Sequence, residues 1–373
     1  MGGVKLGRLF GFEISIDWSW LLIFFLVVYT LASGYFPHFY PELDVATSWG
    51  MGVLAALLLF ASVLVHELSH SIVSRKYGTP VRGITLFLFG GVSQMSDEPK
   101  SAREEFWMAI IGPITSFALA AFFYLLGGIG EGSDWPVPIV AVLGYLAFIN
   151  LLLGAFNLVP GFPLDGGRVL RSIIWGATDD LAKATQWASY SGQGFGYAMM
   201  AFGFFMILGG NLIGGLWLIF IGWFLTGAAR QSYEQLLIRR ALSGVRVDQV
   251  MTTDVPEIPA DLSVRQFVDE QLLRHEYSCY PVMAGENVVG VVGAEEVRTV
   301  PSNLWDMTKV GEIMHRIDGE YEVTSEDDAW VALTRLSSEN VCRLMVVEGD
   351  HLKGTVGRDS VFRLIQTKLR LGM

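Results

Sequence analysis

The sequence contains few charged residues and very little cysteine. Only 17% of its 373 residues are Asp, Glu, Lys or Arg, whereas 52% are hydrophobic, and the mean hydropathy is +0.43. This balance excludes an ordinary soluble enzyme and indicates a polytopic membrane protein.

The scarcity of charge is confined to the first part of the chain. Residues 1–240 contain 15 acidic and 13 basic residues, a net charge of −2, whereas residues 241–373 contain 22 and 13, a net charge of −9. We therefore expect a membrane-embedded part followed by an acidic soluble part. An acidic surface repels phosphates, so nucleic acid is not expected as a partner.

Both cysteines, Cys279 and Cys342, fall in the acidic part. The pair is compatible with a disulfide, but cytosolic proteins are kept reduced. We therefore expect two separate buried thiols.

Six apolar stretches are candidates for membrane spans. They are residues 18–36, 51–71, 106–126, 137–158, 194–208 and 212–228. The loops 35–50 and 127–136 contain no Lys or Arg, whereas the alternate loops contain several. The excess of positive charge on cytoplasmic loops predicts a multi-pass protein of the cell membrane whose two termini and acidic part are cytoplasmic.

Residues 83–95, between the second and third stretches, are too short to span a membrane. They are rich in strand formers and are interrupted by Gly90-Gly91. A surface loop is one interpretation, but its apolar residues favour a β-hairpin that enters the membrane beside the second span.

Two histidines and a glutamate interrupt the second apolar stretch, in the order His66-Glu67-Leu68-Ser69-His70. A charge near the bilayer centre costs on the order of 2.5–3.5 kcal/mol, which indicates a function. On a helix, His66 and His70 lie one turn apart on one face and can bind one metal ion, with Glu67 close to a water molecule at that ion. The alternative is a polar contact between helices in which Glu67 pairs with a base such as Arg75.

A zinc site with an open position for water needs a third protein ligand. The best candidate is Asp165, which follows the prolines that end the fourth span and precedes Gly166-Gly167. Alternatively, Asp165 only caps a helix over residues 168–174. Asn157, still at membrane depth, either caps the interrupted helix or donates a hydrogen bond to an oxyanion.

These motifs together resemble the site-2 protease family of intramembrane zinc metalloproteases, peptidase family M50. The resemblance rests on His66-Glu67-x-x-His70 and on Asn157-x-x-Pro160-x-x-Pro163-Leu164-Asp165-Gly166-Gly167, and it includes Gly90-Gly91, Gly112-Pro113 and residues 11–20. It implies that His66, His70 and Asp165 bind one Zn²⁺ per chain, that Glu67 is the general base, and that Asn157 holds the substrate strand or the oxyanion. Ser116 departs from the family, in which many members carry Asn at this position.

The acidic part contains an internal repeat. The pairs of matching segments, offset by 63 or 64 residues, are 247–251 with 310–314, 279–282 with 342–345, and 290–293 with 354–357. Each copy alternates short strands with a helical stretch, which predicts two packed α/β units.

The repeat resembles a tandem pair of cystathionine β-synthase (CBS) domains, which in that family often bind adenine nucleotides between the copies. Family members that bind ribose carry Gly-x-x-Ser/Thr-x-x-Asp. Here the two copies have Gly290-Val-Val-Gly293-Ala-Glu-Glu296 and Gly354-Thr-Val-Gly357-Arg-Asp-Ser360. The resemblance implies a homodimer formed through the CBS pair; nucleotide binding and a purely dimerising or docking module remain alternatives.

The predicted fold is a polytopic α-helical membrane protein of about six transmembrane helices with a membrane-associated β-hairpin, followed by a cytosolic α/β tandem CBS module. Its predicted parts are a metalloprotease domain (residues 1–230), a linker (231–244) and two CBS domains (245–300 and 308–370). The resemblance implies an intramembrane zinc endopeptidase that cleaves single-pass membrane proteins and is regulated or dimerised by its CBS pair. The alternative is a CBS-regulated metal-ion transporter or channel.

Overall fold

The computed structural model describes residues 3–79, 81–87, 90–95, 99–274, 277, 279–285, 287–316, 321–338, 342–348 and 351–371. The chain divides into two compact units, residues 1–234 and residues 235–373.

Six helical segments among the described residues are long and apolar enough to cross a membrane. They are α1 (Trp18–Thr30), which continues through a π-helical turn (Leu31–Tyr35) into α2 (Phe36–Phe39), then α3 (Val45–Lys76), α4 (Ala102–Gly132), α5 (Val137–Asn157), α7 (Leu181–Leu208) and α8 (Leu212–Leu242). The shorter helix α6 (Asp165–Thr178) follows α5. The prediction of about six membrane helices is confirmed.

The fifth span is longer than predicted. Helix α7 begins at Leu181 and not near residue 194, since Asp180 caps its first turn by accepting hydrogen bonds from the backbone N–H groups of Ala182 and Lys183 at 3.0 and 3.1 Å. Lys183 and the glutamines of the next turns lower the hydropathy of this part without breaking the helix.

The predicted hairpin is present as part of a larger sheet. Four strands, β1 (Gly3–Leu9), β2 (Phe12–Asp17), β3 (Val81–Phe87) and β4 (Gly90–Met95), lie in the order β1-β2-β3-β4. Strands β3 and β4 form the expected antiparallel hairpin, and β2 runs parallel to β3.

The sequence analysis did not predict strands β1 and β2. Phe12 and Ile14 alternate inward from β2 and pack on Leu68 of α3 and Ile84 of β3. The turn between β1 and β2 is a two-residue turn in which both Phe10 and Gly11 have positive φ, as tight hairpins require.

The second unit contains two similar α/β halves, as the repeat predicts. In the first, β5 (Ile258–Pro259) pairs parallel with β6 (Cys279–Ala284), which pairs antiparallel with β7 (Asn287–Gly293); β8 (His315–Arg316) extends this sheet. In the second, β9 (Glu322–Val323), β10 (Arg343–Glu348) and β11 (His351–Gly357) repeat the arrangement of β5, β6 and β7. The helices of this unit are α9 (Val264–Phe267), α10 (Ala294–Arg298), α11 (Val310–Ile313), α12 (Ala329–Ser338) and α13 (Arg358–Leu371).

The expectation of two separate thiols is wrong. Cys279 and Cys342 form a disulfide, with their Cα atoms 6.1 Å apart. Cys279 begins β6 and Cys342 directly precedes β10, so the two residues occupy equivalent positions in the two halves. Pairing of the halves brings these equivalent positions together, which the spacing of two cysteines in a sequence does not reveal.

Part of the predicted linker is helical, because α8 continues to Leu242. The limits given above for the metalloprotease domain, the linker and the two CBS domains remain predictions.

Candidate metal centre

Three predicted ligands, His66, His70 and Asp165, lie together in the first unit. The Nε2 atoms of His66 and His70 are 3.1 Å apart. Asp165 Oδ2 lies 3.1 Å from the first and 3.2 Å from the second. Both imidazoles are buried and the carboxylate is 15% exposed. The site therefore offers two imidazole nitrogens and a carboxylate oxygen within reach of one small cation.

The chain brings Asp165 to the histidines through a tightly folded loop. Asp165 is the first residue of α6, and the residue that caps this helix is Leu164, without a side-chain hydrogen bond. A Cβ on Gly166 would lie 2.4 Å from the backbone of Leu158, and one on Gly167 would lie 2.4 Å from the backbone of Gly161. The Gly-Gly pair thus permits the close approach that turns Asp165 inward.

Helix α4 orients both histidines through contacts with their Nδ1 atoms. His70 Nδ1 lies 2.5 Å from the carbonyl oxygen of Met108, and His66 Nδ1 lies 2.8 Å from Ser116 Oγ. The Met108 carbonyl can only accept, so a neutral His70 carries its proton on Nδ1 and keeps the Nε2 lone pair for a metal ion. The Ser116 hydroxyl can accept from His66 Nδ1–H, which leaves the Nε2 lone pair of His66 available in the same way. Ser116, where the sequence departs from its family, is therefore the hydrogen-bond partner of a predicted ligand.

Gly112 lies one turn of α4 from each of these contacts. A Cβ at this position would come within 2.1 Å of His70 Nε2 and 2.7 Å of His66 Nε2. Any larger residue would occupy the space between the donor atoms, so the glycine keeps that space open.

The donor set fits zinc on two observations of this structure. Its ligand types are those of zinc sites that keep a position for water. The Met108 carbonyl and the Ser116 hydroxyl hold the Nδ1 atoms of the two imidazoles, and Gly112 leaves the space between the donors open.

Glu67 lies against strand β4. A Cβ on Gly91 would come within 2.4 Å of Glu67 Cγ and 3.3 Å of Glu67 Oε1, so the strand touches this side chain only because residue 91 is glycine. The alternative pairing of Glu67 with Arg75 is wrong. Arg75 donates instead to the carbonyl oxygen of Phe10 at 2.8 Å and lies over the ring of Phe12.

Asn157 is the last residue of α5 and is partly buried. A second asparagine, which no sequence motif marks, lies two turns earlier on α5. Asn150 is fully buried and donates to Ser62 Oγ at 3.3 Å and to the carbonyl oxygen of Leu146 at 2.8 Å. Ser62 precedes His66 by one turn of α3, so Asn150 joins α5 to the helix that carries both histidines.

An ion pair that the sequence does not reveal links α4 to α6. Glu105, in the first turn of α4, is fully buried and accepts hydrogen bonds from the guanidinium of Arg171 on α6. Two glutamates at the start of a helix are common because they complement its dipole, so no sequence signal marks Glu105 as special.

Comparisons with known proteins agree with these motifs. The profile described as Peptidase family M50 matches residues 54–132 and 127–201, and the CBS domain profile matches residues 247–303.

Two curated relatives are similar over nearly the whole chain. "Putative zinc metalloprotease Rip3" from Mycobacterium tuberculosis is 34% identical over 97% of this chain and 92% of its own length. "Putative zinc metalloprotease sll0528" from Synechocystis is 35% identical over 98% and 96%. Among solved structures, the site-2 protease from Methanocaldococcus jannaschii covers 62% of this chain and 95% of its own at 30% identity, with a TM-score of 0.43.

Proposed function

Because the chain belongs to peptidase family M50 and is a zinc metalloprotease, we propose that it hydrolyses peptide bonds of single-pass membrane proteins within or near the bilayer. His66, His70 and Asp165 hold the zinc ion and Glu67 is the general base. The observation that carries this proposal is the convergence of the three donor atoms from α3 and α6 next to a carboxylate on α3.

The chain's own residues supply proton transfer and positioning. Zinc bound here would act as a Lewis acid that polarises a carbonyl group and makes water a better nucleophile at neutral pH. The Glu67 carboxylate removes a proton from the attacking water and delivers it to the leaving amine nitrogen. The carbonyl of Met108 keeps His70 in the required tautomer, and the hydroxyl of Ser116 orients the ring of His66.

Asn157 is proposed to hold the substrate strand or the oxyanion. Asn157 follows Asn150 by seven residues, so both lie on nearly the same face of α5, about 10 Å apart along the helix axis. Since Asn150 contacts Ser62, one turn before His66, this spacing supports a position for Asn157 near the level of the metal ligands.

The substrate is proposed to bind as an added strand. A helical peptide bond is shielded by its own hydrogen bonds, so the substrate must unwind and its freed backbone groups need partners in an apolar setting. Among the described strands, β4 is the edge of the sheet on the side of Glu67. A substrate strand paired with β4 would satisfy its backbone groups and lie beside the base.

We propose that the CBS pair lies in the cytoplasm, as the distribution of Lys and Arg in the loops supports, and that it dimerises the chain. The Cys279–Cys342 disulfide counts against this location, because cytosolic proteins are kept reduced. The acidic groups nearest to the ribose-binding pattern already have partners in the protein. Glu296 accepts a hydrogen bond from the backbone N–H of Gly293 at 2.8 Å, and Asp359 pairs with the buried Arg343 at 3.4 Å. These contacts favour a dimerising module over a nucleotide sensor.

The variant Glu67→Gln tests the catalytic proposal. The amide has nearly the same shape but cannot accept a proton, so we expect zinc bound one per chain, as in the wild type, and cleavage of a single-pass membrane substrate reduced at least about 100-fold. Zinc analysis and a cleavage assay in proteoliposomes measure the two effects. Cleavage at the wild-type rate would refute the role of Glu67.

A further inference from the structure

Glu105 and Arg171 form a buried contact between α4 and α6 that the mechanism above does not use. Arg171 Nε donates to Glu105 Oε1 at 2.7 Å, and its Nη2 donates to the same oxygen. The Nε of Arg168, one turn earlier on α6, lies 3.8 Å from that oxygen. The glutamate side chain is fully buried, and those of Arg171 and Arg168 are 12% and 19% exposed. The Glu105 carboxylate thus lies close to arginines in the first two turns of α6, the helix that begins with Asp165.

Arg171 also holds the loop before Asp165. Its guanidinium carbon lies 5.3 Å from the centre of the ring of Phe162, which is buried against Ala188 of α7. The arginine is therefore fixed between α4 and the loop that delivers Asp165, so a change in its position is transmitted to both sides of that residue.

Glu105 lies on the face of α4 that orients the histidines. Glu105, Met108, Gly112 and Ser116 follow one another at intervals of three or four residues, which places them on one face of the helix. Met108 contacts His70, Gly112 borders the space between the donor atoms, and Ser116 contacts His66. With Glu105, the same face also fixes the helix that carries the third donor.

We propose that Glu105 and Arg171 are positioning residues that set the place of Asp165 relative to His66 and His70. This inference rests on the proposed role of Asp165 as a zinc ligand. The neighbouring Glu104 has a different partner, since it accepts hydrogen bonds from Thr79 Oγ1 at 2.9 Å and from the backbone N–H of Lys100 at 3.1 Å. Of these two adjacent glutamates, Glu105 is the one that contacts α6.

The test compares Glu105→Gln, Arg171→Gln and the double variant in the full-length protein. Substituting a direct hydrogen-bond partner of a metal ligand typically lowers metal affinity about 10–100-fold. Glu105 and Arg171 act on Asp165 only through α6 and the loop before it, so we expect each single variant to weaken zinc binding by about the lower end of that range in competition with a chelator. Because the two residues act as a pair, the double variant should lose little more than either single variant. The visible absorption spectrum of the Co²⁺-substituted protein should also change, and at saturating zinc kcat should fall while KM is kept.

The matched control is Glu234→Gln, which breaks the exposed ion pair with Arg230 in the same unit. We expect wild-type zinc affinity for it. If Glu105→Gln keeps the wild-type zinc affinity and Co²⁺ spectrum and only lowers the melting temperature, the pair is merely structural and the inference is overturned. If Glu105→Gln does not fold, Arg171→Lys, which keeps the charge but loses the two-pronged contact, is judged by the same criteria.

Asp165→Asn separates this inference from the proposed function. If Asp165→Asn loses zinc while Glu105→Gln does not, the positioning role fails and the proposed site survives. If Asp165→Asn binds zinc as the wild type does, Asp165 is not a ligand, and both proposals are overturned.

Discussion

At the scale of single residues, the site depends on the α4 residues that contact its proposed ligands as much as on the ligands themselves. His66 and His70 are positioned by a hydroxyl and a carbonyl of α4, and the space between them is kept by the absence of a side chain at Gly112. The hydroxyl of Ser116 and the missing side chain of Gly112 each predict the effect of a substitution.

Ser116→Ala removes the hydroxyl that orients His66. The imidazole can then rotate and adopt the other tautomer, so zinc affinity should fall about tenfold, the lower end of the usual range for such partners. Ser116→Asn, which restores the residue found in many family members, should lose less because its amide oxygen can accept the same hydrogen bond. Chelator competition measures both; equal affinity of Ser116→Ala and the wild type would contradict the proposed contact.

Gly112→Ala places a methyl group between the donor atoms. Because its Cβ would come within 2.1 Å of His70 Nε2, the imidazoles must move apart, and we expect loss of most of the bound zinc in a folded protein. Gly128→Ala on the same helix is the control, since its Cβ meets nothing within 4 Å. Zinc content and the melting temperature of the two variants decide the matter. Full zinc occupancy of Gly112→Ala would show that the cation binds elsewhere.

At the scale of elements, strand β4 contacts Glu67, the proposed general base, at Gly91. Leu86 of the hairpin is 4% exposed in the interior strand β3, so substitutions there report on stability. Leu88 lies outside the described residues. The edge strand itself is the better place for a test.

Proline at two successive positions of β4, Val92→Pro and Ser93→Pro, tests strand addition. Successive N–H groups of an antiparallel strand point alternately towards and away from the partner strand. One variant therefore loses a bond to β3, and the other loses only a donor at the open edge. We expect the variant that loses only the donor at the open edge to keep its zinc and its melting temperature. Its kcat/KM should fall about tenfold, which corresponds to ~1.4 kcal/mol.

Leu6→Pro, on the opposite edge strand β1, is the matched control and should cleave at the wild-type rate. Leu6 is 61% exposed and lies at an irregular position of the β1–β2 pairing. If both β4 variants also cleave normally, the substrate does not pair with this edge.

At the scale of the whole molecule, the sequence predicts some features of the fold and of the candidate site, and not others. Apolar stretches and the spacing of His66, His70 and Asp165 predict the membrane helices and the candidate site, since burial of charge in a membrane is costly and leaves a clear pattern. Strands β1 and β2 are short and lie next to a span, so their alternation is hard to separate from it. The contacts of Glu105, Ser116 and the two cysteines depend on how distant elements pack, which no local pattern records.

The disulfide should make the second unit more resistant to unfolding. A crosslink across 63 residues should stabilise the unit by about 4 kcal/mol in the chain-entropy treatment. Cys279→Ser should lower the calorimetric melting temperature of this unit and leave the zinc content unchanged, because the donor cluster lies in residues 1–234. Thiol titration of the denatured, unreduced wild type should find no free thiol, and two thiols per chain would contradict the disulfide.

The central claim is that two imidazoles and one carboxylate from separate helices hold a single zinc ion. X-ray absorption at the zinc K edge of the purified full-length protein tests it most directly. We predict a first shell of nitrogen and oxygen donors with the outer-shell scattering of two imidazoles, one of which disappears in His70→Ala. A first shell that contains sulfur, or an imidazole signal unchanged by that substitution, would contradict the account.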